Sequence, residues 1–461
     1  MPSVLRNRTY RRLFTAQVVA LVGTGLATVA LSLLAYDIAG GDAAAVLGTA
    51  LAVKMVAYVG IAPLAGAFAD RVPRRALLVS MDLVRACVAL SLPFVTQVWQ
   101  VYVLVFLLQA ASACFTPAFQ ATIPEVLPEE RDYTRALSLS RLAYDLESLF
   151  SPVLAAALLS FVPYGRLFTG TAAGFAASAV LVASVLLPAP RPAPREGGAY
   201  AKIAFGARLF LATPRLRALL ALDLVVAAVG ALVLVGTVGL VRDTLGRPAG
   251  DVPLALGAYG AGSMAVALSL PRLLDRLDDR ALMLPAAGVL TGTLAVVALG
   301  LATAGPGAAW RWPALLAAWA LTGAATSAVL TPGGRLVRRS AGTPDLPAAF
   351  AARFSLTHAC WLLTYPLAGV LAAGPGPAVA AGALTAVALA GTWAAVRLWP
   401  REDPAALDHV HPELPRDHPH LAGLGPGHRH DFHIDVLHPR WPATARGTAS
   451  GPVYGRGAAG S

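Results

Sequence analysis

The feature that most constrains this chain is a set of long stretches with no Asp, Glu, Lys or Arg. Residues 13–36, 167–190, 281–310 and 312–334 are each free of them. So is 354–396, which is too long for one helix and is cut by Gly374-Pro375-Gly376-Pro377. A bilayer core ~30 Å thick is crossed by ~20 helical residues rising ~1.5 Å each. In hydrocarbon, every backbone N–H and C=O must be paired inside the protein, so such runs span as helices. Only 13% of the 461 residues are charged, against ~25% in soluble domains. That is too little charge to cover a soluble exterior, which excludes a disordered chain, a nucleic-acid binder with a basic surface and an ordinary soluble enzyme. Cys87, Cys114 and Cys360 are too scattered for a disulfide framework or a zinc ribbon.

The pattern predicts an all-α polytopic membrane protein with twelve transmembrane helices. They are expected at about 13–37, 44–68, 76–95, 98–117, 136–160, 167–187, 216–240, 252–271, 281–303, 309–331, 349–373 and 377–398, with ends uncertain by ~2–4 residues. Arg6, Arg8, Arg11 and Arg12 lead straight into a full-length span, so the first helix is expected to be retained and not cleaved as a signal. Basic residues in the predicted loops divide 21 to 4 between the two sides. Because basic loops stay in the cytoplasm, both termini are expected there. The net charge of +11 then reflects topology, and no nucleic-acid partner is expected. With only Lys54 and Lys202 as lysines, the excess is almost entirely arginine.

A Pro-rich stretch, PAPRPAPREGG, opens the longest interior loop. It divides the chain into a six-helix bundle at 1–187, a cytoplasmic linker at 188–215, a second six-helix bundle at 216–400 and a tail at 401–461. A motif repeats across the divide. Gly66-x-x-x-Asp70-Arg71-x-x-Arg74-Arg75 lies between helices two and three, and Pro271-x-x-x-Asp275-Arg276-x-x-Asp279-Arg280 between helices eight and nine. Parallel six-plus-six repeats are a transporter architecture.

On these residues the chain resembles the major facilitator superfamily over about residues 8–400. GAFADRVPRR is similar to that family's loop motif, G-x-x-x-D-R-x-G-R-R, with Pro73 where a glycine is usual. Residues 115–141 resemble the drug/proton antiporter-like branch that includes siderophore exporters. The resemblance implies the major facilitator fold and alternating access. The physical reading of the motif stands beside it. Gly66 lets helices approach closely. Asp70 at the membrane edge can pair with arginines or cap a helix. Together Gly66, Asp70, Arg71, Arg74 and Arg75 are expected to form a latch at the cytoplasmic gate, although the arginines also set topology.

Ionisable residues in hydrocarbon cost at least ~2.5–3.5 kcal/mol each, so they face a cavity or a partner. Lys54, Asp82, Arg85, Asp145, Glu147, Asp223 and His358 fall inside predicted helices and form the candidate substrate and proton pathway. Asp82 and Arg85, three apart, also suit a structural ion pair. Arg141 and Asp145 are four apart and can satisfy each other. Asp145 and Glu147 are two apart, about 200° around the helix, and cannot face one partner. Of the two, Asp145 is the better candidate for a proton or cation. Asp223 has no partner nearby in sequence, and His358 can titrate near neutrality or ligate a metal.

The sharpest local signal follows the last helix. Eight of the nine histidines are His409, His411, His418, His420, His428, His430, His433 and His438. Three H-x-H pairs occur, and in an extended chain residues two apart project to one side. Asp408, Asp417, Asp431 and Asp435 add oxygen donors. The set suits Ni, Co, Zn or Cu(II). Phe432, Ile434 and Val436 alternate with polar residues and predict a docked segment. From Thr444 onward Gly, Ala and Ser predict disorder. With this tail the chain resembles nickel/cobalt-resistance exporters of the superfamily, which implies a proton-coupled exporter of divalent metal. The rivals are a drug or siderophore exporter with an incidental tail and a non-transporting membrane metal sensor. No nucleophile–base pair marks an enzyme. No cofactor is required beyond a metal on the tail, and a monomer in the cytoplasmic membrane is expected.

Overall fold

The structure, a computed structural model, describes residues 3–39, 43–68, 71–189, 199–303, 310–404, 406–411, 414–415, 418–421, 427–435 and 437–442. Asp70 of the expected latch, Asp417, Val436 and the Gly/Ala/Ser-rich end from Thr444 lie outside the described residues. Twelve helices are long and apolar enough to cross a membrane: α1 Arg8–Ala39, α2 Val46–Phe68, α3 Arg74–Phe94, α4 Val98–Val126, α5 Glu130–Leu159, α6 Gly165–Ala183, α7 Pro214–Thr244, α8 Val252–Leu274, α9 Asp279–Thr303, α10 Arg311–Ser340, α11 Thr343–Ala373 and α12 Pro377–Leu398. The chain is a multi-pass membrane protein.

Three helices outrun the apolar pattern at the arginine-rich end. α4 continues past residue 117 to Val126 with Pro117 and Pro124 inside it. α5 begins before 136, with Glu130 and Asp132 in its first turn, where the helix dipole favours acidic side chains. α10 runs on past residue 331 through Gly333–Ser340, burying Leu336 and Val337 while it carries Arg335, Arg338 and Arg339. Once a helix leaves lipid, water can satisfy its surface. Length is then set by capping and packing, and no longer by hydropathy.

The helices pack in two equivalent sets. In the first half α1 meets α5 and α6, α3 meets α4 and α6, and α2 meets α4. In the second half α7 meets α11 and α12, α9 meets α10 and α12, and α8 meets α10. Each contact recurs six helices later, which is the repeat suggested by the duplicated motif. The halves join mainly where α2 crosses α11 and α5 crosses α8.

Within the membrane there is little hydrophobic drive to pair helices, so close packing of small residues does the work. At the α8–α10 crossing the two backbones nearly touch. A Cβ on Gly262 would collide with the backbone of Ala320, and one on Gly323 with the backbone of Tyr259. At the α2–α11 crossing a Cβ on Gly66 would lie 2.5 Å from the Ala351 Cβ. The expected close approach at Gly66 is therefore to a helix of the other half.

The linker is not all extended. Ala199–Ala212 is a helix. It lies against α2 and α11 and buries Phe205, Leu209 and Phe210. The tail also folds. Strands β1 Ala406–Val410 and β2 Gly427–Asp431 pair antiparallel with His409 opposite His428. Phe432 and Ile434 are buried in the core of the second half, as the alternation predicted. Asp403 fixes the start of the tail by an ion pair to Arg215 at 3.0 Å.

Replacing Gly262 or Gly323 with Ala should lower the unfolding midpoint in detergent, by the equivalent of about 1–3 kcal/mol of overpacking. Gly292, with open space around it, should tolerate Ala without loss. Equal midpoints for all three variants would contradict the packing described here.

Candidate functional site

The polar residues inside the membrane fall into separate groups. Asp145 is 4% exposed. Its Oδ1 pairs with Arg141 Nη2 at 2.8 Å, and its Oδ2 accepts from Ser263 Oγ at 2.6 Å. Arg141 also donates to Ser263 Oγ, from Nε at 3.1 Å and Nη2 at 3.0 Å. The carboxylate is thus held by its own helix, α5, and by α8 of the opposite half. Any rocking that parts α5 from α8 must break these bonds and leave Asp145 with Arg141 alone.

Glu147 points elsewhere, as its position two residues on requires. It stands where its charge acts on Lys54 of α2. Lys54 Nζ lies 5.6 Å from the Tyr58 ring centre. The Tyr58 hydroxyl donates to Gln109 Oε1 at 2.8 Å, and its ring meets His358 edge-on at 4.6 Å. His358 Nδ1 sits 2.7 Å from the Phe354 carbonyl. A carbonyl only accepts, so Nδ1 carries the proton and Nε2 is left as an acceptor. This second group joins α2, α4 and α5 of one half to α11 of the other.

Asp223 and the Asp82–Arg85 pair take their hydrogen bonds within one half each, although Tyr58 and Tyr144 stand within electrostatic reach of Arg85. Asp223 is 1% exposed and accepts from Thr357 Oγ1 at 2.8 Å, inside the second half between α7 and α11. Its Oδ1 has no hydrogen-bond partner among the described residues. Asp82 is 0% exposed and hydrogen-bonds Arg85 and Ser178 Oγ at 2.7 Å. The Arg85 guanidinium lies 4.2 Å from the Phe115 ring and 4.5 Å from the Phe175 ring. Residues of α3, α4 and α6 pack around this pair.

Among the described residues, several pairs join the halves at the arginine-rich end. Arg131 of α5 pairs with Asp275 at 2.9 Å. That hydrogen bond holds the Asp275 carboxyl below the usual carboxylate range. Arg335 of α10 reaches Glu130 at 2.5 Å and Asp279 at 3.3 Å. Arg338 donates to the Pro128 carbonyl. Of the second motif copy, Asp275 takes part in a pair between the halves, whereas Asp279 pairs with Arg335 and Arg339 inside the second half. Within the first copy, Arg74 pairs with Glu125 at 2.6 Å inside its own half, Arg71 lies over the Phe68 ring and Arg75 is exposed. Among the described residues, the ion pairs that cross between the halves at this end are Arg131–Asp275 and Arg335–Glu130.

The tail holds the densest cluster of donors. His409, His411, His420 and His438 offer ligand atoms all within 4.8 Å of one another, and so do His409, His420, His428 and His430. His418 and His433 stand apart from both groups. His418 Nδ1 accepts the His420 backbone N–H at 3.2 Å. His433 lies beside Arg215, where burial first and that charge second lower its pKa. Desolvation, followed by the charges that neighbouring imidazoles would carry, pushes His420 down to about 4. The ring is neutral near pH 7, the form that can ligate a metal. Burial alone would raise the Asp435 carboxyl, but hydrogen bonds from His438 hold it below the usual range.

Sequence reasoning missed Ser263, Tyr58, Gln109 and Arg353. The first three are neutral polar residues on long helices and carry no signal by themselves. Arg353 stands at the border of a charge-free run. It donates to the Leu330 carbonyl at 3.1 Å, and its charge acts on Asp223.

Two equivalent six-helix halves, a polar seam between them and ion pairs across one end define the architecture of a two-bundle polytopic membrane protein. The sequence profile described as Major Facilitator Superfamily matches residues 13–310. The chain belongs to that superfamily. It is 29% identical over 122 residues to the uncharacterized MFS-type transporter YfiS of Bacillus subtilis, covering 26% of this chain and 29% of that protein. It is 27% identical over 152 residues to macrolide efflux protein A of Streptococcus pyogenes, covering 31% and 37%. The chain thus matches about a third of the length of these relatives. In fold it is similar to a bacterial homologue of the iron transporter ferroportin in its outward-facing state, with TM-score 0.71 and 13% identity over 85% of this chain and 99% of that one. It is similar to the human organic anion transporter MFSD10 at TM-score 0.71 and 13% identity, over 84% and 99%.

Asp82→Asn should destabilise the protein by about 3–5 kcal/mol, because it strands a buried guanidinium. Thermal unfolding in detergent reads this directly. An unchanged midpoint with lost transport would instead place the pair on the substrate path.

Proposed function

We propose that the protein is a proton-coupled exporter of the cell membrane that carries a divalent transition metal, Ni²⁺ or Co²⁺, out of the cell by alternating access. The observation that carries the cargo assignment is the convergence of His409, His411, His420, His428, His430 and His438 in one folded hairpin. That hairpin is anchored at the arginine-rich end of the second half through Arg215. The 21-to-4 division of basic loop residues supports a cytoplasmic position for this end, where the tail would meet metal on the side from which an exporter loads. Efflux is supported by the partial likeness to macrolide efflux protein A. A metal cargo is compatible with a fold neighbour that is a ferroportin homologue crystallised with soaked iron.

Asp145 is the group suited to couple the proton. It is the carboxylate at the α5–α8 boundary, and its bond to Ser263 exists only while the halves are closed there. Opening removes that donor and changes the carboxylate's affinity for a proton or cation. His358, with Nε2 an acceptor beside Tyr58, offers a neutral ligand on the opposite wall. The Arg131–Asp275 and Arg335–Glu130 pairs act as the cytoplasmic latch. Each exposed pair is weak alone, so several are needed to hold a gate that must also release.

A second reading keeps this machinery and changes the cargo to an amphipathic drug or a siderophore. The relatives named for macrolide efflux favour it, as does the aromatic group of Tyr58, Phe354 and His358. Everted vesicles holding an imposed pH gradient separate the two. Ni²⁺ or Co²⁺ should dissipate the gradient in the wild type but not in Asp145→Asn. Dissipation by erythromycin with none by either metal would assign the cargo to the second reading.

A further inference from the structure

Arg353 stands on α11 where α10, α7 and α5 come together. The regular part of α10 stops at Leu330 and resumes at Gly333, with Thr331 and Pro332 between. The last carbonyls of an interrupted helix need donors from outside, and Pro332 has no N–H to give. Arg353 Nη2 supplies one donor, to the Leu330 carbonyl at 3.1 Å. The guanidinium lies so close to the resumed turn that a Cβ on Gly333 would collide with it. From the other side the turn meets the first half. A Cβ on Gly334 would lie 2.9 Å from Tyr133 Oη, and that hydroxyl donates to the Gly334 carbonyl at 3.3 Å. The break in α10 is thus gripped by Arg353 of its own half and by Tyr133 of α5 in the other.

The residues after the break span the halves. Arg335 reaches Glu130 at 2.5 Å and Thr134 Oγ1 at 3.1 Å. Arg338 donates to the Pro128 carbonyl and lies 5.3 Å from the Tyr133 ring centre. Both follow Gly333 by less than two turns, so the direction in which the chain leaves the break decides whether they reach α5. Arg353 has a second acceptor within range. Its charge acts on Asp223 of α7, yet the two form no ion pair among the described residues. Asp223 is 1% exposed. Thr357, one turn after Arg353 on the same face of α11, donates to Asp223 Oδ2 at 2.8 Å. Asp223 Oδ1 has no hydrogen-bond partner among the described residues, and a buried acceptor left without a donor is costly.

We infer that Arg353 is a two-position switch that sets the reach of Arg335 and Arg338 toward α5. On the Leu330 carbonyl it braces the break in α10 and aims both arginines at the first half. On the open oxygen of Asp223 it frees the break, and the arginines withdraw as the halves part. Asp223 stays in place, since Thr357 holds it in both positions. A guanidinium bonds a carboxylate more strongly than a carbonyl, which offsets part of the cost of opening the contacts to α5. Arg353 is a positioning residue, because it acts through α10. The inference rests on the reading of Arg335–Glu130 as part of a cytoplasmic latch.

Amide hydrogen exchange on the full chain in lipid nanodiscs reads the segment Gly333–Ser340. Arg353→Gln should speed exchange there by about 10–100-fold, the range for losing a hydrogen bond from a charged donor. Asp223→Asn, which keeps the shape but removes the charged alternative, should slow it, because Arg353 then stays on the carbonyl. The double variant should match Arg353→Gln, and Arg353→Lys should fall between Arg353→Gln and the wild type. A fixed scaffold of Arg353 and Asp223 predicts the opposite sign for Asp223→Asn. Faster or unchanged exchange in Asp223→Asn, or an unchanged segment in Arg353→Gln, would overturn the inference. If Arg353→Gln does not fold, the sign for Asp223→Asn decides alone. Glu130→Gln tests the latch separately, by gradient dissipation in everted vesicles with Ni²⁺, Co²⁺ or erythromycin. If the segment responds as expected and Glu130→Gln leaves dissipation unaltered, the latch reading fails and the switch on α10 stands.

Discussion

An ionised side chain in hydrocarbon costs at least ~2.5–3.5 kcal/mol, and the arrangement of this protein follows from how each intramembrane charge escapes that cost. Asp82 does so inside one half, with Arg85 and Ser178. Asp223 does so inside the other, with Thr357 and the field of Arg353. Those charges hold bundles together and have no reason to move. Asp145 and Glu147 are satisfied differently. Asp145 draws on Ser263 across the boundary between the halves, and Glu147 faces Lys54 on a helix that itself crosses α11. Asp145, whose Ser263 partner sits on the opposite half, feels every relative motion of the two, whereas Glu147 and Lys54 belong to the same half. That difference sets Asp145 apart from the charges held within one half.

The close crossings serve the same end. Gly66 against Ala351, and the linker helix with Gly206 against Ala348 and Ala352, bring smooth small-residue surfaces together at the boundary. Such surfaces interlock less than large side chains do and can part with little repacking. The ion pairs outside the membrane then set which end is closed. Arg131–Asp275 is exposed on both sides, so salt and water can compete for it. Arg335–Glu130 joins a largely buried guanidinium to an exposed carboxylate.

Much of the fold was legible because the charge-free runs admit no other solution in lipid. Helix ends were less so. Beyond the bilayer the hydropathy signal vanishes, and α5 gained residues 130–135 from an acidic first turn that periodicity does not weigh. The linker helix Ala199–Ala212 was obscured by the prolines before it. In the site, charged residues stood out by rarity. Ser263, Gln109 and Thr357 did not, because neutral polar residues are common on these helices and only tertiary contact gives them meaning. The motif's duplication pointed to Asp275 and Asp279, but which copy would face a partner depended on the packing of the halves. The histidines stood out by their spacing as candidate ligands. Which of them come together in two overlapping groups of four depended on the chain turning His438 back to His409, and on a short 3₁₀ turn at Pro419–Leu421 that places His418 on a backbone amide.

The described anchors of the hairpin are all residues of the second half: Arg215 and Arg339 for Asp403, and the apolar core for Phe432 and Ile434. The hairpin is therefore a rigid passenger on one of two moving parts. Any relative motion of the two halves would carry the hairpin together with α7 and α10, to which its anchors belong.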